Sequence, residues 1–83
     1  MPMFLDVHNN VEGLSDEAAE AGHRLDLAVQ ARHGVRFIRY WYDEATGKLF
    51  CLFEGPSKEA GDAVHLEAHG VKADEIWEVK EGG

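Results

Sequence analysis

The sequence predicts an α+β domain of the ferredoxin-like βαββαβ type that spans all 83 residues. Four short runs are rich in apolar, branched and aromatic residues, and two longer segments carry apolar residues at helical spacing. Each helical segment begins at a serine followed by acidic residues or by a lysine–glutamate pair. The order of the elements is strand, helix, strand, strand, helix, strand, so we expect an antiparallel sheet with both helices on one face.

Alternation over residues 3–8 predicts the first strand, with Asp6 and His8 side by side on the same face. Ser15 is a favourable N-cap, and the first helix is predicted to run from there to about Arg32. Gly34 follows as a natural C-terminal stop. Five residues at helical spacing form the expected inward stripe: Ala18, Ala21, Leu25, Ala28 and Val29.

Residues 35–43 and 48–54 predict two strands that a turn at 44–47 joins into a hairpin. Ser57 is predicted to cap the second helix, and Gly70 to end it. Its expected inward stripe is Ala60, Val64, Ala68 and Val71. Residues 76–79 are predicted to form the last strand of the sheet.

The predicted sheet is apolar on both faces. In the second strand, strict alternation places Phe37 and Trp41 on one side, and Ile38, Tyr40 and Tyr42 on the other. Two helices can cover only one face of such a sheet, so the other face requires a second cover. We therefore predict a homodimer of dimeric α/β type, packed sheet to sheet or through its strands.

Charge and cysteine content exclude several classes of function. Sixteen acidic residues against eight basic ones give a formal net charge of −8, which disfavours nucleic-acid and membrane-surface partners. Cys51 is the only cysteine, so no intrachain disulfide can form, and we expect it to be a small buried packing residue.

The N-terminus lacks the pattern of a signal peptide and no segment is long enough to span a membrane, so a cytoplasmic location is expected.

The stretch AVHLEAHG contains His65 and His69, four residues apart on the predicted second helix. Measured from Val64, both histidines and Asp62 are expected off the core, on one side of the helix. Such a set can hold a divalent metal ion. Alternatively, His69 interacts with the helix dipole in the last turn and His65 is an ordinary solvated side chain.

Two further groups could contribute ligands. His23, Asp26 and Gln30 are expected to share the outer side of the first helix, as a polar face, a hydrogen-bonded His–Asp pair or a second cation site. Asp6 and His8 are expected on the face of the first strand opposite Leu5. Inside a core they would need partners or water, whereas near an edge of the sheet they would be solvated. They are a possible metal-ligand pair.

Several segments of the sequence resemble a known family. They are LDVH with Asp6 and His8; His23, Asp26, Leu27 and Gln30, followed by HGV; RYWYDEATGKLFCLFEGPSKEA; and VHLEAHG with ADEI. Together they are similar to a domain-of-unknown-function family of small ferredoxin-like proteins that includes a nickel-binding protein. The resemblance implies a dimer that binds a divalent metal, nickel in particular, with no established catalytic activity. The positions it marks are Asp6, His8, His23, Asp26, His65, Glu67 and His69, whereas Asp62 is added by helix geometry alone.

The leading hypothesis is therefore a homodimer that binds nickel or another divalent transition metal, and that is not an enzyme. The alternative is a dimeric α/β barrel enzyme, such as a cofactor-free oxygenase or an isomerase, whose sheet face encloses a small organic substrate. His8, Tyr40 and Cys51 would then be the natural cavity groups. A third hypothesis is an interaction module whose dimer surface binds another protein.

Overall fold

A computed structural model describes residues 1–83 and contains two helices and one four-stranded antiparallel sheet. The elements in chain order are β1 (Met3–His8), α1 (Asp16–Val29), β2 (Arg36–Asp43), β3 (Lys48–Glu54), α2 (Lys58–Ala68) and β4 (Glu75–Val79). The strands lie in the order β2-β3-β1-β4, and every neighbouring pair is antiparallel. The predicted α+β class and element order are confirmed. Neither helix has the length and apolar character needed to cross a membrane.

The helix ends form where the capping residues predict them. The Ser15 hydroxyl accepts a hydrogen bond from the Ala18 N–H at 3.1 Å, and Ser57 accepts from the Ala60 N–H at 3.2 Å. The first helix ends at Val29, three residues before the predicted end, and a single 3-10 turn over Gln30–His33 follows it. Gly34 closes this turn with a φ of +67°, a conformation that glycine adopts without strain.

A β-bulge between Phe37 and Arg39 alters which face of the sheet the following side chains of β2 point to. Beyond the bulge, Tyr40 lies opposite Cys51 on the helix-covered face, and Trp41 lies opposite Phe50 on the open face. The prediction that Phe37 and Trp41 share one side is therefore wrong. An inserted residue shifts the two-residue alternation by one, so every following side chain moves to the other face.

Phe53 is the centre of the hydrophobic core. Its ring is fully buried and lies 5.2 Å from that of Phe4 and 5.1 Å from that of Phe37. Gly61 of α2 faces the same ring so closely that a Cβ at this position would lie 2.2 Å from Phe53 Cζ. The absence of a side chain at residue 61 thus lets α2 approach the sheet.

The inward stripe of α1 differs from the predicted one. Ala19 and Asp26 are buried, whereas Ala18 and Leu25 are exposed. In α2, Val64 is buried as predicted, but Val71 is about half exposed beyond the helix end. The apolar periodicity of α1 indicated the wrong stripe because the buried face of this helix carries a carboxylate.

The face of the sheet opposite the helices carries large exposed side chains. Trp41 is 48% exposed and Trp77 is 58% exposed. The strand register places Leu5, Phe50 and Leu52 on the same face. An apolar surface of this kind is typical of a binding surface.

Candidate metal centre

Six side chains with metal-ligating atoms meet between the helices and the sheet. We call them the donor cluster; its members are Asp6, His8, Asp26, Cys51, His65 and His69. Asp6 and His8 come from β1, Cys51 from β3, Asp26 from α1, and the last two from α2 and its C-cap. All except His69 are buried. Polar groups in such a position require partners, and His65 and His69 find theirs in the carboxylates of Asp6 and Asp26.

His65 is the centre of the donor cluster. Its side chain is 1% exposed, with Nε2 2.7 Å from Asp6 Oδ2 and Nδ1 3.0 Å from Asp26 Oδ1. The ring also packs against that of Phe37, at a centroid distance of 4.8 Å. Both ring nitrogens therefore face a carboxylate, an arrangement that an imidazolium with two N–H donors satisfies.

The strand register and the close approach of α2 to the sheet position the side chains of the donor cluster. Asp6 lies opposite Cys51 in β3 and opposite Ile76 in β4, so its side chain points to the helix-covered face. His65 follows Gly61 by one helical turn, and the close approach at Gly61 brings His65 to the sheet surface. His69 caps the helix, and its Nε2 lies 3.2 Å from Asp26 Oδ1.

The charges within the donor cluster follow from these contacts. Burial lowers the pKa of His65, but hydrogen bonds to Asp26 and Asp6 outweigh burial and raise the pKa to about 12. Burial also disfavours the ionised form of Asp6 and of Asp26. The imidazoles beside each carboxyl nevertheless hold its pKa below the usual value. At neutral pH the centre is thus a protonated His65 between two ionised carboxylates.

Two buried atoms of the donor cluster have no hydrogen-bond partner. They are Asp6 Oδ1 and His8 Nε2, which lie 3.3 Å apart without hydrogen-bond geometry. An unpaired buried polar atom costs about 1–3 kcal/mol, so native structures rarely leave one without a partner. A cation that both atoms ligate would satisfy this pair.

The donor cluster contains two overlapping ligand sets. The inner set is Asp6, His8, Cys51 and His65, and the outer set is Asp26, His65 and His69. Within each set, one ligating atom from every residue lies within 4.8 Å of the others. His65 belongs to both sets. Imidazole, carboxylate and thiolate together suit a transition metal such as nickel, zinc or copper.

A cavity of about 310 Å³ opens above the donor cluster, on the helix-covered side of the sheet. His8, Asp26, Cys51, His65 and His69 line it, whereas most of its other lining residues are apolar. His8, Tyr40 and Cys51, the three groups expected in an enzyme cavity, all border this space. Burial raises the pKa of the Cys51 thiol to about 12, so the thiol is protonated at neutral pH.

The structure brings five of the eight predicted ligand residues together: Asp6, His8, Asp26, His65 and His69. The expected outward placement of His65 and Asp26 is wrong, since both side chains are buried. Spacing within one helix could not show this, because His65 is paired with residues of other elements. Asp6 lies 59 residues and Asp26 39 residues before it in the chain.

The other three predicted residues lie outside the donor cluster. His23 lines the cavity and packs against Tyr40 at 4.9 Å between ring centroids. Glu67 forms an ion pair with Arg32 and a hydrogen bond with His33 on the surface. Asp62 accepts a hydrogen bond from the Ala73 N–H at 3.1 Å.

Cys51 is the donor that the sequence did not indicate as a metal ligand. It is buried as expected, but it borders the donor cluster as well as the core. Its only sequence-level indication was alternation, which places Cys51 on the same face of β3 as Phe53.

The fold and the donor cluster together define a small α+β protein with a buried His–Asp–Cys centre. Residues 4–79 match the family model described as nickel responsive protein SCO4226-like, and the chain belongs to this family. The crystal structure of SCO4226 from Streptomyces coelicolor A3(2) is similar, with a TM-score of 0.90 and 43% sequence identity. The match covers 98% of this chain and 99% of that one. The search of curated proteins found no match.

Proposed function

We propose that this protein binds a divalent transition metal, with nickel as the favoured ion, through the donor cluster. The observation that carries the proposal is the unpaired, buried atom pair Asp6 Oδ1 and His8 Nε2, which lies beside the thiol of Cys51 and the ring of His65. The nickel-responsive family to which the chain belongs supports nickel over zinc and copper.

The same geometry supports binding over catalysis by a thiol nucleophile. Nucleophilic cysteines have a lowered pKa in an electropositive, accessible site. Cys51 is instead buried in the hydrophobic core with a raised pKa. A metal ion would displace the thiol proton on binding, so Cys51 can act as a ligand without being a free thiolate beforehand.

A titration of metal-free protein with nickel, zinc and copper, followed by calorimetry and by the melting temperature, tests the proposal. We expect nickel to bind and to raise the melting temperature, since a ligand that binds only the folded state stabilises it. His8→Gln removes one donor of the inner set and is expected to weaken binding by at least tenfold. His33→Gln is the matched control, since His33 pairs with Glu67 outside the donor cluster. Equal affinities of these two variants would contradict the assignment of the inner set.

We further propose that two copies associate through the open face of the sheet. Trp41 and Trp77 are both about half exposed there, beside Leu5, Phe50 and Leu52. Aromatic residues of this kind are enriched at protein interfaces. Because the donor cluster lies on the other side of the sheet, this association leaves its cavity accessible.

A further inference from the structure

The cavity above the donor cluster has apolar walls and an entrance from solvent. The walls include Val11, Leu14, Leu25, Leu49 and Val71. Leu25 and Val71 are about half exposed, so they mark the entrance. Water finds few hydrogen-bond partners against such walls, so an apolar molecule that displaces this water is bound favourably.

The volume of the cavity limits the size of such a molecule. At about 310 Å³ it lies at the lower end of the range for small-molecule sites. An apolar cavity of about 150 Å³ holds one benzene molecule. This cavity therefore has room for about two fused aromatic rings.

Two aromatic side chains outside the donor cluster border the cavity. His23 and Tyr40 are half-buried, with ring centroids 4.9 Å apart. Tyr40 also stacks on Tyr42 at 6.0 Å, and the Tyr42 hydroxyl donates a hydrogen bond to Asp16 at 2.7 Å. The ring of Tyr40 is thus held on two sides without any ligand, which reduces the cost of ordering it on binding. Aromatic ligands form favourable edge-to-face and offset contacts with such rings.

The same two side chains offer hydrogen bonds to a ligand. The hydroxyl of Tyr40 and the imidazole of His23 can each donate and accept. A full charge placed against the apolar walls would lose its hydration, so a neutral group such as a hydroxyl or a ring N–H is the best match.

We propose that the cavity binds a small neutral aromatic molecule of two fused rings that carries one hydrogen-bonding group. The rings pack against Tyr40, Leu49 and Val71, and the polar group bonds with Tyr40 or His23. The molecule needs no metal ion for its binding, because none of these residues belongs to the donor cluster.

The experiment uses protein freed of metal by a chelator and a series of probes. The first pair is phenol and 2-naphthol, and calorimetry measures their affinities. We expect 2-naphthol to bind about tenfold more tightly, because its second ring removes more apolar surface from water. Two charged molecules of similar shape, 2-naphthoate and 2-(aminomethyl)naphthalene, are expected to bind more weakly than 2-naphthol.

Two alanines of α1 offer a matched pair of variants. Ala21 lines the cavity and Ala28 does not, and both are exposed. Ala21→Phe should fill part of the space and remove the advantage of 2-naphthol over phenol. Ala28→Phe should leave both affinities unchanged.

The hydrogen-bonding role has its own variant. The double substitution His23→Phe and Tyr40→Phe keeps an aromatic ring at each position and removes both polar groups. It should weaken 2-naphthol about fivefold, the loss expected for one hydrogen bond, and leave naphthalene unchanged. An equal loss for both probes would contradict the assignment of these groups.

Nuclear Overhauser effects from the probe locate it in the unaltered protein, even if a variant fails to fold. We expect them at the methyl groups of Leu49 and Val71. Effects at Leu52 and Val79 would instead place the probe in the hollow of the open sheet face that these two residues line, and would overturn the proposal. Equal affinities for phenol and 2-naphthol, or tighter binding of either charged probe, would also overturn it. Nickel titration without any probe tests the metal proposal separately, so the failure of one proposal is distinguishable from that of the other.

Discussion

His65 and Asp6 are 59 residues apart in the chain, yet Nε2 of one lies 2.7 Å from Oδ2 of the other in the buried interior. Together with Asp26, they place an imidazolium between two carboxylates. Buried ion pairs offset a large desolvation cost only when their hydrogen bonds are well formed. This triad is consequently sensitive to any change that removes a single partner.

Replacement of His65 alone should strongly destabilise the protein. His65→Gln leaves Asp6 and Asp26 buried without a counter-charge, and removing one partner of such a pair costs about 3–5 kcal/mol. That is a large part of the stability of a small domain. Urea unfolding at pH 7 measures the loss.

The triple variant Asp6→Asn, Asp26→Asn and His65→Gln distinguishes lost charge balance from lost packing. It removes all three charges and keeps similar shapes, so we expect it to be more stable than His65→Gln alone. If the triple variant is the less stable of the two, charge imbalance is not the cause.

The free energy of unfolding should fall as the pH rises above neutrality. The pKa of His65 is raised to about 12 in the folded state, above its ordinary value of 6.5. Its contribution is therefore fully present below about pH 6.5 and is lost progressively as the pH rises through the folded value near 12. The slope for one proton is about 1.4 kcal/mol per pH unit.

The carboxylates of Asp6 and Asp26 give the free energy of unfolding the opposite pH dependence. The pKa values of Asp6 and Asp26 are lowered from 3.8, so their contribution is present above about pH 3.8 and is lost as the pH falls through the folded values. Maximum stability should then lie between about pH 4 and 6.5. Denaturant unfolding across pH 3–10 checks this, and a flat profile above pH 6.5 would contradict the protonated state of His65.

Nickel binding should release protons. His65 is protonated at neutral pH, and a ligating nitrogen must give up its proton. Calorimetry in buffers of different ionisation enthalpy should show about one proton released per ion bound through His65, and about one more if Cys51 binds as thiolate.

Cys51→Ser separates the two sources of protons. It should reduce proton release by about one and remove any sulfur-to-nickel charge-transfer absorption. His33→Gln serves again as the control with unchanged release. An unaltered spectrum in Cys51→Ser would exclude the thiol as a ligand.

Gly61→Ala should destabilise the fold and weaken nickel binding together. The added methyl group would lie 2.2 Å from a ring carbon of the fully buried Phe53, and overpacking of this kind costs about 1–3 kcal/mol. Moving α2 outward would also move His65. Gly22→Ala in α1 is the control for stability, since nothing lies within 4 Å of a Cβ there. Thermal unfolding and nickel titration of both variants provide the comparison.

Association through the sheet should depend on the two exposed tryptophans. Trp41→Glu and Trp77→Glu place a charge on the open face and are expected to yield a monomer in light scattering. Leu66→Glu changes a residue of α2 that is about equally exposed, and is expected to leave the mass unchanged. A monomeric protein without any substitution would contradict the proposed dimer.

Local patterns predicted the order of the elements and the helix caps, because Ser15, Ser57 and Gly34 act within one turn of the chain. They failed at β2, where the bulge beside Ile38 is invisible to simple alternation. They also failed for the burial of Asp26 and His65, because a polar residue is assigned to the surface unless its partner is known. Those partners come from other elements, so only the folded arrangement reveals them.

The six side chains of the donor cluster come from four different elements, and none of those elements carries a complete ligand set by itself. Fragments of the chain, nascent segments included, are therefore poor chelators. Binding of the proposed ion would report that these four elements have reached their native arrangement, and cleavage in a loop that frees one of them should release the ion.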